Sequence, residues 1–345
     1  MEKNNKKYLS ASKIKTLESC SWIYWCKYHL KLPDKTNSGA LRGTICHLIF
    51  EMLIGKKRKR YFNRILKDRL LNAVPSIERL VKKWIKKYEL SEEDYALIQK
   101  MILVGLDTDF YGEELGEAKI LEPEFEFKIE NEKPTFNISG FIDKITLYPK
   151  ENKLVITDYK TSKEKFKGDE KDCNIQALMY SLVAKNKWPE YKNIIVKFIF
   201  LKFPEQPVVE ICFSEEEMEG FSHYLEYLNF QADSFTEKDA KSWLAADMED
   251  SKLEFKGQKM CGRASEKGQL KKDKTPMWHC PFKFDFEYYV LIDKDNRVIK
   301  SAFKEKDIQS TDSELKIEKR QYEGCPKFKN FLPQPVNQSV DNFGI

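Results

Sequence analysis

The chain has 345 residues, of which 41% are hydrophobic and 13% aromatic, so it has enough apolar material for a buried core and a mostly disordered chain is excluded. Its formal net charge of +5 is too close to balance to indicate a nucleic-acid-binding protein from composition alone. The longest apolar stretches, such as ICHLIFEMLI, are shorter than a membrane span, and the start MEKNNKKY lacks an apolar signal segment. We therefore expect a protein of the cytoplasm, or of the host cytoplasm if a phage encodes it, with no membrane partner.

The N-terminal third of the chain is predicted to be helical. The apolar spacing indicates an amphipathic helix from Ser10 to Lys27, a second helix from about Leu41 to Leu53, and a helical insertion at about 55–118. The block KKRKRYFNRILKDR at 56–69 and the lysines around Trp84 make parts of this insertion basic. These basic segments could bind phosphates, or they could be ordinary solvated helix faces.

Downstream of the insertion the apolar period changes towards two, which is typical of strands. Three successive strands are expected in LEPEFEFKI, FNISGFIDKITLY and NKLVITDYKT, then a helix at about 174–187, then strands in NIIVKFIFLKF and VVEICF. This order predicts an α/β fold with a mixed central sheet flanked by helices. The last third is polar, although FEYYVLIDKDNRVIKSAF is typical of a β-hairpin that turns near Asn296. We predict a core over 1–235 and a C-terminal appendage over 236–345.

Two acids and a lysine lie where strands would bury them. Asp143 shares a face of the predicted strand Ile138–Leu147 with apolar neighbours, and Asp158 and Lys160 share an apolar face of the next strand. A four-residue hairpin loop at Pro149–Asn152 would place Asp143 opposite Asp158, with their Cβ atoms roughly 5 Å apart. Carboxylates that close repel each other unless a cation or a proton intervenes. A one-residue slip of the register would separate them.

Oxygen ligands of this kind favour a hard cation such as Mg²⁺. Lys160 could then orient or help deprotonate a metal-bound water and stabilise charge in the transition state, while the metal polarises a scissile phosphate. The alternative is a surface ion pair between Asp158 and Lys160, with Asp143 in a turn. An Asp-x-Lys sequence in a strand, taken alone, favours that alternative.

Four segments of the chain, taken together, point to one nuclease family. They are YLSASKIKTLESCSWIYW, RGTICHLIFE, the pair GFIDKI and VITDYKT, and QALMY, and they span residues 8 to about 203. In this order they resemble the PD-(D/E)XK nuclease superfamily, in particular its RecB-like branch, which includes exonucleases of recombination and CRISPR adaptation. The resemblance implies a restriction-endonuclease-like core that hydrolyses DNA phosphodiester bonds with a divalent metal.

The resemblance also implies roles for single residues. It implies a catalytic lysine at Lys160 and metal ligands at His47, Asp143, Asp158 and the carbonyl of Tyr159. An imidazole ligand makes Mn²⁺ an alternative to Mg²⁺. Gly43 lies four residues before His47, and its missing side chain would allow close packing of this helix. Without the other motifs, His47 would be interpreted as a core histidine.

Three further positions belong to the predicted site. Gln176 and Tyr180 are four residues apart and share a helix face; in the resembling family this pair lines the active site and helps to position the lysine or the DNA. An ordinary amphipathic helix is the alternative. Glu124 could supply another carboxylate, as first-strand acids do in this superfamily. Glu122 and Glu126 alternate with it on the same face, so the choice among the three stays open.

The chain has eight cysteines, which fits a reducing compartment without structural disulfides. Some RecB-like nucleases hold an iron–sulfur cluster with one N-terminal and three C-terminal cysteines, and this chain offers Cys20, Cys261, Cys280 and Cys325 at comparable places. Cys280 and Cys325 each precede a proline, as in that family. No Cys-x-x-Cys pair occurs, so the compact ligand spacing is absent. A 4Fe–4S cluster or zinc is one interpretation, and small core residues are the other.

Together these features predict a metal-dependent deoxyribonuclease, an exonuclease on DNA ends or single strands in recombination, replication or repair. Its partners would be DNA and a helicase, recombinase or replication protein. The alternatives are an inactive nuclease-derived module that binds DNA or a partner, a structure-specific or RNA-directed endonuclease of the same superfamily, and a polar scaffold that binds no metal. A compact nuclease of this branch without a helicase motor would suit a phage or mobile element.

Overall fold

The structure, a computed structural model, describes residues 7–34, 37–55, 58–242 and 280–326. Cys261 lies outside these ranges. The chain divides into two compact units, of which the first comprises residues 1–14 and 36–233 and the second residues 15–35 and 234–345. Both units are therefore built from two separate pieces of the sequence. Among the described residues no helix is long and apolar enough to cross a membrane.

Helices and strands of the described residues occur in the following places. The helices are α1 (Ala11–Ser19), α2 (Ser21–Tyr24), α3 (Ser38–Ile54), α4 (Lys59–Asp68), α5 (Pro75–Lys87), α6 (Glu92–Asp107), α7 (Ile175–Lys187), α8 (Glu215–Ser234) and α9 (Glu237–Ser242). The strands are β1 (Lys119–Ile120), β2 (Phe125–Glu132), β3 (Thr135–Ile142), β4 (Lys144–Tyr148), β5 (Lys153–Lys160), β6 (Asn193–Phe200), β7 (Val208–Ile211), β8 (Phe286–Ile292), β9 (Val298–Ala302) and β10 (Lys316–Tyr322).

A five-stranded mixed sheet, in the order β1-β4-β5-β6-β7, is the centre of the first unit. β5 and β6 are parallel, and the other neighbouring strands are antiparallel. α7 connects the parallel pair, and the side chain of Asn174 caps it by accepting a hydrogen bond from the Ala177 N–H at 3.0 Å. The predicted α/β class with a mixed sheet and helices is confirmed.

The hairpin of β4 and β5 has the predicted register. Lys144 pairs with Thr157 and Tyr148 pairs with Lys153. In the same register Asp143, one residue before β4, falls opposite Asp158. The loop length between two buried strands was therefore sufficient to place the two acids.

The chain bends at Asp143, so the single strand expected over Ile138–Leu147 is wrong. β3 ends before Asp143 and pairs with β2 in a separate two-stranded sheet, whereas β4 starts after it and joins the central sheet. The side chain of Asp143 accepts a hydrogen bond from the backbone N–H of Tyr159 at 2.9 Å, a donor that a continuous strand would have paired with a carbonyl. Because of the bend, Phe141 is 56% exposed and shares no buried face with Ile145.

A mostly helical layer packs on one face of the central sheet. The core of this layer joins the apolar sides of α3, α5 and α6 with Tyr159, Ile199 and Leu201 of the sheet. The helices end at Asp107, and 108–118 forms turns, so the predicted helical insertion is shorter than expected. The N-terminal helix also differs from the prediction, because it is interrupted at Cys20, whose backbone is extended.

The second unit contains a three-stranded antiparallel sheet in the order β10-β8-β9. The predicted hairpin is present as β8 and β9, with Asn296 at a φ of 58° in the turn, whereas β10 was not predicted. Trp22 donates from Nε1 to the hydroxyl of Tyr322 at 2.8 Å, and that hydroxyl donates to the carbonyl of Phe282 at 2.9 Å. These contacts bring the segment after α1 onto the sheet of this unit.

Candidate active site

His47 lies on α3 and contacts two other predicted site residues. Its Nδ1 is 3.2 Å from Asp143 Oδ2, and its Nε2 is 3.0 Å from the carbonyl oxygen of Tyr159. Burial lowers the pKa of His47, but the hydrogen bond to Asp143 and the charges of Asp143, Asp158 and Glu124 outweigh that effect and raise it to about 9. Both ring nitrogens face acceptors, so the imidazolium form fits this arrangement, and a metal ion that binds His47 must replace a proton.

Close packing of α3 on the sheet fixes this position. A Cβ atom at Gly43 would lie 2.9 Å from the hydroxyl oxygen of Thr161, so the helix approaches the segment after β5 more closely than an alanine would allow. The predicted reason for Gly43 is thus confirmed. On the same helix the ring of Phe50 stacks on that of Tyr159 with centroids 4.1 Å apart. These contacts hold His47 over the carbonyl of Tyr159.

Glu124 is the acid of the first predicted strand that reaches this place. Donor atoms of His47, Glu124 and Asp143 lie within 4.8 Å of one another. Glu124 has a φ of 51°, in the left-handed region, and its N–H donates to the carbonyl of Asp143 at 3.2 Å. Burial raises the pKa of Glu124, and the negative charge of Asp143 raises it further. Glu126, in contrast, pairs with Lys128, and Glu122 lines a different cavity.

Asp158 is buried beside this trio and has its own partners. Its Oδ2 accepts hydrogen bonds from Gln176 Nε2 at 2.7 Å and from the Tyr180 hydroxyl at 3.3 Å. Its Oδ1 is 2.6 Å from the ammonium of Lys160 but has no hydrogen bond of acceptable angle among the described residues. Burial raises the pKa of Asp158, the charge of Lys160 lowers it, and that of Asp143 raises it. A buried carboxylate oxygen therefore remains available beside the trio.

Gln176 links the lysine to the carboxylate. Its Oε1 accepts from Lys160 Nζ at 2.6 Å, and its Nε2 donates to Asp158 and, at 2.7 Å, to the hydroxyl of Tyr180. The hydroxyl of Tyr180 in turn lies 2.9 Å from the carbonyl oxygen of Phe141. The helix face shared by Gln176 and Tyr180 thus holds Lys160 and Asp158 in place, at the junction of β3, β5 and α7.

The donor set suits a hard divalent cation. An imidazole, carboxylates and a backbone carbonyl are ligands that Mg²⁺ or Mn²⁺ accepts, with Mn²⁺ more tolerant of the imidazole. The 4.8 Å grouping of His47, Glu124 and Asp143 and the buried oxygen of Asp158 both fit such an ion. The structure brings all the predicted site residues of the first unit together, and the acidic trio is its most compact part.

The predicted cysteine ligands lie in the second unit. Cys20, Cys280 and Cys325 all pack against one apolar core, which also contains Cys26. Cys26 was not predicted; its pKa is raised well above the ordinary range by burial, with smaller contributions from Cys280, Cys325 and Cys20. Those contributions place the four sulfur atoms near one another. Its position six residues after Cys20, in the same helical segment, was the signal that sequence reasoning missed.

Comparison with known proteins is consistent with this geometry. The family model of the PD-(D/E)XK nuclease superfamily matches residues 8–263, and the chain belongs to that superfamily. A relative, one of the subunits of the ATP-dependent helicase/deoxyribonuclease of Carboxydothermus hydrogenoformans, is 27% identical over 262 residues, which are 68% of this chain and 24% of the relative. The chain therefore spans about a quarter of that protein's length. The solved structure of a candidate exonuclease from Eubacterium rectale aligns with a TM-score of 0.43 at 10% identity, over 72% of this chain and 94% of that one.

Proposed function

We propose that the chain is a divalent-metal-dependent deoxyribonuclease of the RecB-like branch, acting as an exonuclease on DNA ends or single strands. The observation that carries this proposal is the grouping of His47, Glu124 and Asp143 within 4.8 Å, next to the ion pair of Asp158 and Lys160. In this proposal the central sheet with α3 and α7 is a restriction-endonuclease-like core, the helices up to residue 118 are an insertion, and residues from 236 onward are an appendage.

Each side chain has a distinct task in hydrolysis. His47, Asp143, Asp158, Glu124 and the Tyr159 carbonyl would hold Mg²⁺ or Mn²⁺, which when bound supplies Lewis-acid polarisation of the scissile phosphate and lowers the pKa of a bound water. The ammonium of Lys160 would orient the attacking water and stabilise negative charge that develops on the phosphate. Gln176 would keep that ammonium in position, and Tyr180 would keep Gln176 and Asp158 in position.

The relative's name supports a DNA substrate. That protein is named as a subunit of a helicase/deoxyribonuclease. On this basis we propose DNA as the substrate and a helicase, recombinase or replication protein as partner, in recombination, replication or repair.

The test is a cleavage assay on end-labelled linear DNA and covalently closed circular DNA, with Mg²⁺, Mn²⁺ or EDTA. Wild type is compared with Lys160→Ala and Asp158→Ala, and with Lys153→Ala, which removes a lysine from the other end of β5. We expect metal-dependent loss of the linear DNA, sparing of the circle, and no cleavage by the two site variants. A folded wild type that cuts nothing with either metal but retains DNA would indicate a binding module, and cutting of the circle would indicate an endonuclease.

A metal centre in the second unit is a separate part of the proposal. Cys20, Cys280 and Cys325 share one core, and four thiolates suit a 4Fe–4S cluster or zinc. The fourth ligand would be Cys261 or the buried Cys26. Metal analysis and visible absorption of the protein purified without oxygen test this, with serine variants of each cysteine. Loss of iron or zinc in Cys20→Ser and Cys280→Ser is expected, and comparison of Cys26→Ser with Cys261→Ser identifies the fourth ligand; stoichiometric metal in all four would contradict the centre.

A further inference from the structure

A group of cations lies beside the candidate active site, at the carboxyl ends of β5 and β6. The N–H of Leu201 donates to the carbonyl of Lys160 at 2.9 Å, so Lys202 follows the residue that pairs with the lysine of the site. Lys163 is three residues beyond Lys160 on an exposed segment. Arg42 belongs to α3 and directly precedes Gly43, the residue that packs against Thr161. Three elements thus each bring one cation to the same edge of the sheet.

The positive charges are close enough to affect one another. Burial lowers the pKa of Lys202, and the positive charges of Arg42 and Lys163 lower it further. Arg42 forms an ion pair with Asp94, whose side chain is 16% exposed, and this is a partial compensation. Among the described residues the Nε atom of Arg42 is buried without a hydrogen-bond partner. Three cations held near one carboxylate leave an excess of positive charge, which an anion would relieve.

We propose that Arg42, Lys163 and Lys202 bind a phosphate of the DNA strand that flanks the bond to be cut. This inference rests on the proposed function, because it assigns a second contact of the same substrate. Arg42 lies five residues before His47 on α3, which is about 7.5 Å along the helix axis. An axial rise of about 3.4 Å per nucleotide places the bound phosphate roughly two nucleotides from the metal site.

The chemistry of the group fits a phosphate better than a carboxylate on a small ligand. The guanidinium offers directed N–H donors, and two ammonium groups supply mobile point charges for a tetrahedral oxyanion. The first turn of α3, capped by Asn37, adds the positive end of a helix dipole near Arg42. An internal phosphodiester and a terminal phosphate share this chemistry, and the substrate design below separates them.

The experiment measures DNA affinity against salt concentration. Fluorescence anisotropy with single-stranded oligonucleotides is recorded in a Lys160→Ala background, so that binding is observed without cutting. Lys202→Gln, Lys163→Gln and their double variant are compared with Lys153→Gln, a control at the opposite end of β5. Each test variant should lower the magnitude of the slope of log K against log salt by about 0.7 on single strands. The affinity should fall several-fold, and the control should leave both unchanged.

Both lysines are partly or fully exposed, so these variants are expected to fold, and thermal unfolding checks this. A loss confined to oligonucleotides with a 5′- or 3′-phosphate would show that the group binds a terminal phosphate; an equal loss without one would show an internal phosphodiester. An unchanged slope in the folded double variant overturns the proposal, even if wild type cuts DNA. Conversely, wild type that cuts nothing while the slope changes rejects the nuclease and keeps the phosphate site.

Discussion

At the residue scale, the candidate site depends on side chains that hold other side chains. Gln176 contacts both Lys160 and Asp158, although in the proposed reaction it touches neither water nor phosphate. We expect Gln176→Met to lower kcat about 10- to 100-fold, the usual cost of losing a partner of a metal-site residue. Steady-state cleavage rates measure this, with Gln206→Met on an exposed loop as the control. An unchanged kcat in folded Gln176→Met would show that Lys160 and Asp158 keep their positions without the amide.

Lys144 gives an expectation about stability and pH. Its side chain is buried, its ammonium donates to the carbonyl of Phe110 at 2.9 Å, and burial lowers its pKa from 10.5 to about 7. The unfolded chain therefore binds more protons than the folded chain between about pH 7 and pH 10, so this lysine destabilises the fold below pH 7 and the penalty disappears as the pH rises.

Lys144→Met should remove that penalty. We expect the variant to exceed wild type by roughly 1–3 kcal/mol at pH 7, where part of the gain is offset by the lost hydrogen bond. The difference should shrink or reverse by pH 9.5. Urea unfolding at both pH values measures it, and Lys119→Met, at an exposed lysine of β1, should show no such pH dependence. A difference that is the same at both pH values would mean that Lys144 stays charged when folded.

At the element scale, two helix glycines have opposite surroundings. A Cβ atom at Gly105 of α6 would lie 2.4 Å from the ring of Phe50 and 3.1 Å from Leu201, both in the core, whereas a Cβ atom at Gly220 of α8 would meet nothing within 4 Å. Alanine has the higher helix propensity by about 1 kcal/mol at either place. We therefore expect Gly220→Ala to stabilise by about 0.5–1 kcal/mol, and Gly105→Ala to destabilise by about 1–3 kcal/mol through overpacking.

Chemical denaturation of the two alanine variants measures this contrast. Since Phe50 stacks on Tyr159, Gly105→Ala should also lower metal-dependent cleavage, and Gly220→Ala should not. Stabilisation by Gly105→Ala would contradict the close approach of α6 to α3.

How much of these elements could be predicted depended on the range of the interactions. The register of β4 and β5 followed from a short loop and an apolar pattern, both of which are local. The bend at Asp143 did not, because it depends on a hydrogen bond to Tyr159, sixteen residues away, that only the assembled sheet provides. For the same reason, the sequence named Asp143 and Asp158 as a pair but did not indicate that Asp158 would be held by Gln176 and Tyr180.

At the scale of the whole molecule, the units are discontinuous in sequence. Residues 15–35 belong with the C-terminal part, and their apolar side chains, such as Trp22, pack against residues about 300 positions away. Apolar periodicity reports that a helix has a buried side but not which segment covers it. The motifs of the first unit were recognisable because their spacing is characteristic, whereas Cys26 had no motif and its neighbours came only from the fold.

Each unit contains a buried thiol that reports on its core. Cys46 belongs to the first unit, and burial raises the pKa of its thiol to about 12; Cys26 belongs to the second and its pKa is raised for the same reason. Cys173 and Cys212 are exposed. Because the thiolate is the reactive form, we expect iodoacetamide to modify Cys173 and Cys212 quickly in the native protein and to spare Cys46 and Cys26.

Peptide mass spectrometry after a time course measures the labelling. Denaturant should make Cys46 reactive when the first unit unfolds and Cys26 reactive when the second does, so the two midpoints give the stability of each unit by itself. Equal native labelling of Cys46 and Cys173 would contradict the burial of α3 against β5, and with it the packing that holds His47 at the site. Protection of Cys46 with rapid native labelling of Cys26 would instead confine the error to the core around Tyr322.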